Sequence, residues 1–158
     1  MRWKPFCISF FLLGVSLSSL LAEEIPVYGH VPEFVFQDQK GKETRLSDFT
    51  GRVWIADFIF TRCQGMCPLM GGRMAVLQEK LGTSGIQLVS FSVDPEYDTP
   101  EVLAPYAERF KAQDGVWFFL TGEKEAMWNF IGEGFQLGVA EPNPGDLANG
   151  AEPVMHSN

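Results

Sequence analysis

Thiols and imidazoles are scarce in this chain, and positive charge is in deficit. Its 158 residues include three cysteines, two histidines and 12 lysines and arginines, against 20 aspartates and glutamates. Each shortage excludes something. Three cysteines are too few to staple a miniprotein with disulfides. A formal net charge of −8 argues against a nucleic-acid-binding surface, because neutralising phosphates requires clustered Lys and Arg. Internal repeats and low-complexity tracts are missing, and long uncharged apolar runs are missing beyond the first two dozen residues. What remains is ordinary globular usage, 46% hydrophobic and 20% charged, which excludes disorder over most of the chain. The length suits one domain. With so few Cys and His, any thiol or metal chemistry has to use almost all of them.

The single long apolar run lies at the N-terminus. Arg2 and Lys4 precede an uncharged stretch, Pro5 to Ala22, that carries Phe6, Ile8, Phe10, Phe11, Leu12, Leu13, Val15, Leu17, Leu20 and Leu21. Glu23 and Glu24 follow at once. A basic start, an apolar run and a small residue at its end form an export signal. The run also approaches the length that spans a bilayer. Residues 1–22 are therefore expected to be a signal peptide or membrane anchor, with the domain facing outward from the cytoplasmic membrane into the periplasm. Cys7 falls inside this run. Removing residues 1–22 takes Arg2 and Lys4 with it and leaves a net charge of −10. Such a surface favours docking to basic patches over anionic lipid.

Residues 23–32 read as a linker, and residues 33–158 as the folded domain. Glu33 to Asp38 alternates polar and apolar residues like a half-buried strand, and Thr44-Arg45-Leu46 returns as a hairpin partner across the Gln39–Lys42 turn. Val53 to Phe60 is an almost continuous apolar run, the pattern of a strand buried on both faces. Met70, Met74, Leu77 and Leu81 then make one stripe of a helix, with Pro68 in its first turn and Gly82 and Gly85 at its end. Ile86 to Val93 is a second buried strand. Asp98-Thr99-Pro100 opens a helix, with a capping residue ahead of proline. Pro105 inside that helix should bend it or shorten its start. Val116 to Leu120 gives a third buried strand and Glu123 to Ile131 a third helix. Glu141 to Pro153 is a loop, and Val154 to Asn158 begins a further strand. Strands alternating with helices predict an α/β sandwich around a mixed central sheet.

Chemistry concentrates in Cys63-Gln64-Gly65-Met66-Cys67-Pro68, between the first buried strand and its helix. Spacing of i and i+4 can bring both sulfurs to one face of the first helical turn. A helix N-terminus stabilises thiolate, the nucleophilic and metal-binding form. The motif also lies at a strand's carboxyl end, where open α/β sheets place ligands. Three readings stay open on these residues. One is a structural disulfide, which would close only a tiny loop and add little stability. Another is a redox dithiol, although thioredoxin-type motifs use two intervening residues and this one has three. The last is a metal site, in which two thiolates and an imidazole suit copper in both oxidation states. A structural zinc usually takes four protein ligands, and only three soft donors can be counted here. The imidazole is His30, in the linker, or His156, beyond the loop.

Further residues carry weaker signals. Asp57 is a charge in an apolar strand, either a buried carboxylate able to relay protons to a cysteine or an exposed or hydrogen-bonded structural group. Asp94 ends a strand beside Pro95. It is either a weak oxygen ligand or a partner of the ligands, or simply a turn former. Met66, between the cysteines, could offer a thioether but is expected to pack, as are Met70 and Met74. Trp54, Trp117 and Trp128 are expected to lie in or beside the core. Thr61, two residues before Cys63, suggests a peroxiredoxin-like peroxidase, but a second cysteine at i+4 is unusual there.

Asp57-Phe58-Ile59-Phe60-Thr61-Arg62-Cys63 followed by Cys67-Pro68 resembles the Sco/SenC family of copper-binding assembly proteins. Ser92-Val93-Asp94-Pro95-Glu96-Tyr97-Asp98-Thr99-Pro100 resembles the family's second motif, and Leu120-Thr121-Gly122 and His156-Ser157 match further positions. The resemblance implies a thioredoxin-like fold with an N-terminal β-hairpin extension. It implies copper, as Cu(I) and Cu(II), on Cys63, Cys67 and His156. It further implies a role in building the dinuclear copper centre of cytochrome c oxidase, by a metallochaperone rather than a turnover enzyme. The alternative is a thiol–disulfide reductase that keeps the cysteines of that centre reduced, with Cys63 and Cys67 as the catalytic pair and a Cys63–Cys67 disulfide when oxidised. The expected partners are the oxidase's copper-centre subunit and other copper donors. Family members continue past the His-Ser pair, so the C-terminal part of the domain is expected to be missing, and Pro105 falls where the family helix normally continues.

Overall fold

The computed structural model describes residues 26–141 and the short strand at 155–156. The expected leader over residues 1–22 and most of the expected loop lie outside the described residues. A hairpin comes first, with β1 at Val35–Gln37 antiparallel to β2 at Glu43–Arg45. A 3₁₀ turn at Leu46–Phe49 follows. The expected hairpin therefore forms, one residue earlier in its second strand, so that Phe36 and Thr44 face each other on the buried side.

Three parallel strands make the centre: β3 at Trp54–Ile59, β4 at Gln87–Ser92 and β5 at Trp117–Leu120, in the order β3-β4-β5. Their β-branched and aromatic runs suit a sheet covered on both faces, and every residue of β4 is buried. The antiparallel elements lie outside these three. Gln37 forms an antiparallel bridge with Thr121, which joins the hairpin to the end of β5. At the other end of the chain, β6 at Val139–Ala140 pairs antiparallel with β7 at Met155–His156. The strand expected to begin at Val154 thus appears, in partnership with a two-residue strand too short to show a sequence pattern.

The helices are α1 at Met66–Leu81, α2 at Pro100–Arg109 and α3 at Lys124–Phe135. Helix α1 ends where Gly82 takes φ +48°. On the inner side of α1, a Cβ at Gly71 would sit 2.5 Å from the Phe110 ring, so glycine is what lets α1 approach the end of α2. Helix α2 runs unbroken through Pro105, which is exposed. Thr99, the residue ahead of the proline, is its N-cap, with Pro100 in the first turn. Helix α3 continues beyond the expected Ile131 despite Gly132 and Gly134. Phe135 explains this: its ring packs on Phe58 and Trp54, and tertiary burial overrides weak local propensity.

Period-2 alternation sorts the sheet into two faces. Trp54 and Phe58 of β3, Val89 and Phe91 of β4 and Phe118 of β5 turn toward the hairpin and α3. There Phe34, Phe36, Phe49, Phe130 and Phe135 close an aromatic cluster around Phe91. Each fully buried phenylalanine contributes on the order of 1.5–3 kcal/mol. Asp57, Ser90, Trp117 and Phe119 turn the other way, toward α2, whose Tyr106 and Phe110 pack on Phe119 and Trp117.

Candidate copper and dithiol site

The two motif cysteines sit where β3 hands over to α1. Cys63 lies in the connecting turn and Cys67 is the second residue of the helix. Both are buried, at 6% and 2% exposure, and both are thiols. The backbone N–H of Cys67 donates to Cys63 Sγ at 3.4 Å. One of the amides that a helix start leaves without a backbone partner is thereby satisfied by sulfur. Gly65 occupies the N-cap without a side-chain cap, so Cys63 takes that role.

The turn is tied down from the β4–α2 loop. Asp98 is fully buried. Its carboxylate accepts from the Thr61 backbone N–H at 3.1 Å, from Thr61 Oγ1 at 2.5 Å and from Ser92 Oγ at 2.6 Å. Burial raises its pKa, opposed by the hydrogen bonds from Ser92 and Thr61. On the solvent side, Arg62 donates from Nε to Asp94 at 2.9 Å, and its guanidinium lies 4.3 Å from the Tyr97 ring centroid. The Asp94 amide in turn donates to Ser92 Oγ at 3.1 Å. Two consecutive residues before Cys63 are thus gripped by two acids four residues apart.

A second polar group lies on the sheet face toward α2. Asp57 and Ser90 are register partners across β3 and β4. Ser90 Oγ donates to Asp57 Oδ1 at 2.5 Å and accepts from Trp117 Nε1 at 2.9 Å. Asp57 is 7% exposed, which excludes the exposed-strand reading, and its Oδ2 is buried without a hydrogen-bond partner. Desolvation raises its pKa to about 6, against the lowering effect of the Ser90 bond. The buried Tyr106 hydroxyl is likewise unsatisfied. Its pKa is raised by burial first and then by the nearby Cys67, Asp57 and Cys63. The tyrosine therefore stands within electrostatic reach of both thiols and the carboxyl.

Sequence reasoning named Cys63, Cys67, Asp57 and Asp94 but missed Tyr106 as a neighbour of the thiols and Asp98 as a buried carboxylate. The expectation that Met66 packs is corrected: it is 59% exposed, because Cys67 and Gly71, not Met66, form the inward side of the first turns. Met74 is buried and Met70 half-buried, as expected for the helix stripe. Trp117 is fully buried, and half-buried Trp128 donates to the Val93 carbonyl at 2.9 Å. His30 is exposed. The backbone of His156 pairs with Val139, while its side chain lies outside what is described. Among the described residues no three Cys, His, Asp or Glu side chains gather as a metal cage. No described helix is long and apolar enough to cross a membrane.

A parallel β3-β4-β5 core with a helix-borne dithiol at the carboxyl end of its first strand defines a thioredoxin-like protein with a C-x-x-x-C site. The SCO1/SenC family model matches residues 23–158, and the chain belongs to that family. It is 38% identical over 134 residues to the SCO1 protein homolog of Bacillus subtilis strain 168, an alignment covering 83% of this chain and 66% of that relative. It thus spans just under two thirds of that relative's length. Among solved structures, it resembles BsSco, a member of the Sco family of cytochrome c oxidase assembly proteins in which a disulfide switch was identified. The identity there is 39% and the TM-score 0.65, over 72% of this chain and 68% of that one. Yeast Sco1 with copper bound is similar at 25% identity and a TM-score of 0.64, over 80% of this chain and 68% of that one.

Proposed function

We propose that this chain is an exported copper-binding assembly factor that carries copper toward the dinuclear centre of cytochrome c oxidase. The observation that carries the reading is the pair of buried thiols at the β3–α1 turn, with Cys63 Sγ already accepting the Cys67 amide at the helix start. Soft thiolates select Cu(I), and an added imidazole extends the set to Cu(II). The residue types fit that ion: Cys63 and Cys67 would supply sulfur and His156, the second residue of β7, would supply nitrogen. Asp94 contributes by fixing Arg62 beside Cys63, since its carboxylate is engaged by that guanidinium. Copper is cargo, and it leaves by exchange onto the thiols of the acceptor. Residues 1–22 direct the domain across the cytoplasmic membrane and are either cleaved or kept as its anchor. The copper-bound yeast relative supports the ligand, and the family of BsSco supports the destination.

A second reading has its own observation. Asp57 is a buried carboxyl on the sheet face toward Tyr106 and the cysteines, with an unpartnered oxygen and a pKa near 6. Such a group suits proton transfer in dithiol–disulfide exchange near neutral pH, and a reductase of the acceptor's cysteines would use it. One dithiol can serve both roles in turn.

Titration of the reduced chain from Glu23 onward with Cu(I), against a competing chelator, separates the readings. Tight one-to-one binding, weakened at least tenfold by His156→Ala and abolished by Cys63→Ser, is the expected result. Absence of binding together with rapid exchange with a partner disulfide would replace the copper reading with the reductase.

A further inference from the structure

The established likeness concerns the cysteines. The structure draws attention to a residue outside the ligand set, at the end of the Ser92–Pro100 motif. We infer that Asp98 is the positioning residue of the dithiol: by holding both the amide and the hydroxyl of Thr61, it fixes the turn that sets Cys63 against Cys67. The inference rests on the reading that these two cysteines are the working pair.

Three observations lead there. Asp98 is fully buried, and no arginine, lysine or histidine contacts it among the described interactions. A carboxyl buried without a cation is costly unless its hydrogen bonds are complete. It also is not spent on capping α2, because Thr99 is the N-cap and Asp98 reaches away from the helix. Its bonds are directed instead. Oδ1 takes the Thr61 hydroxyl, Oδ2 takes the Ser92 hydroxyl at the end of β4, and the Thr61 amide points at both oxygens. One side chain thus links the end of β4, the start of α2 and the turn two residues before Cys63.

The consequence is geometric. The Cys63 amide donates to the Phe60 carbonyl at 3.2 Å, closing a tight turn, and Thr61 lies inside that turn. With Thr61 gripped, Cys63 Sγ is presented to the Cys67 amide. A sulfur held at fixed reach from its partner behaves as at high effective concentration, whether the bridge is a disulfide or a two-coordinate metal ion. Releasing Thr61 lowers that concentration while leaving both cysteines in place.

The test equilibrates the full chain with glutathione, in which the two thiols lose two electrons and two protons to one glutathione disulfide and give two glutathiones. Trypsin cleavage after Arg62 and Arg73 yields one peptide carrying both Cys63 and Cys67, so mass spectrometry reads this pair separately from Cys7. Asp98→Ala is expected to reduce the oxidation equilibrium constant about tenfold, or ~30 mV for a two-electron couple. Asp98→Asn keeps an oxygen for the Thr61 amide and should recover most of the loss. Thr61→Val, a milder change on the opposite side of the same bond, should move the constant in the same direction. Gln87→Leu removes another buried polar group, which binds the Gly115 carbonyl at the far end of β4, and should leave the constant unchanged. Equal values for wild type, Asp98→Ala and Thr61→Val overturn the inference while leaving the dithiol reading intact, as does an equal shift in Gln87→Leu. A wild type that neither forms the disulfide nor holds Cu(I) overturns both.

Discussion

The two faces of the central sheet are built from the same three strands and differ in almost every respect. Toward the hairpin and α3, the interior is an aromatic cluster centred on Phe91, which touches Phe34, Phe36, Trp54, Phe58, Phe130 and Phe135. Toward α2, the corresponding layer holds Asp57, Ser90 and Tyr106, two of them with buried oxygens left unsatisfied. Unsatisfied buried polar atoms cost roughly 1–3 kcal/mol each, so the second face gives up stability that the first accumulates. Strain and unsatisfied groups of this kind gather at functional sites. The difference separates what holds the fold from what equips the thiols.

The largest test of that separation is on the dry face. Phe91→Ala removes the ring shared by six aromatic neighbours and should destabilise the fold by about 3–5 kcal/mol, read from the denaturant midpoint. Under conditions where the variant is still folded, its Cys63–Cys67 reduction potential should match wild type. A shifted potential would mean that the two faces are not independent.

The next effect lies on the polar face and is read by pH. The Asp57 carboxyl has a folded pKa of about 6 against an ordinary 3.8, because burial disfavours its charge. Below about pH 4 it is protonated in folded and unfolded chains alike. From there to about pH 6 the folded state holds the proton and the unfolded state releases it, so stability falls as pH rises. Above pH 6 the loss is complete, roughly 3 kcal/mol at about 1.4 kcal/mol per pH unit. Asp57→Asn should flatten this fall in urea unfolding across pH 4–7. A remaining slope of the same sign is expected from Asp98, whose pKa is also raised by burial. Superimposable profiles for wild type and Asp57→Asn would remove Asp57 as a titrating group in this range.

The two faces were also unequally legible. The apolar runs at Val53–Phe60 and Ile86–Val93 announce β3 and β4, and the i, i+4 cysteines announce the reactive turn, because those patterns are local. Asp57 and Ser90 are each visible as a polar residue in an apolar strand. That they meet depends on the parallel register of β3 and β4, which no local pattern specifies. Asp98 is visible in the sequence only as part of the Asp98-Thr99-Pro100 helix start, whereas its partners, Thr61 and Ser92, lie 37 and 6 residues away. Thr99, directly ahead of Pro100, serves as the N-cap, so the local signal gave the helix start but not the role of Asp98. Tyr106 sits on the expected apolar stripe of α2, and only the packing of that helix over the thiols gives its hydroxyl a setting.

The smallest effect sharpens the contrast most finely. The Tyr106 ring packs on Phe110 and Phe119, contacts that a phenylalanine would keep. Its hydroxyl is buried and satisfies no hydrogen bond, in the same neighbourhood as Cys67, Asp57 and Cys63. Tyr106→Phe therefore removes a desolvated oxygen and little else, and should stabilise the chain by about 1 kcal/mol. The same exchange of a hydroxyl for hydrogen in a satisfied setting would cost about that amount, so the sign is the informative quantity. Urea unfolding at pH 7 reads it directly. Destabilisation would show that the hydroxyl is engaged in the folded protein and that this face is a completed polar network. Stabilisation would show that the polarity beside the thiols is retained against stability, as the comparison of the two faces requires.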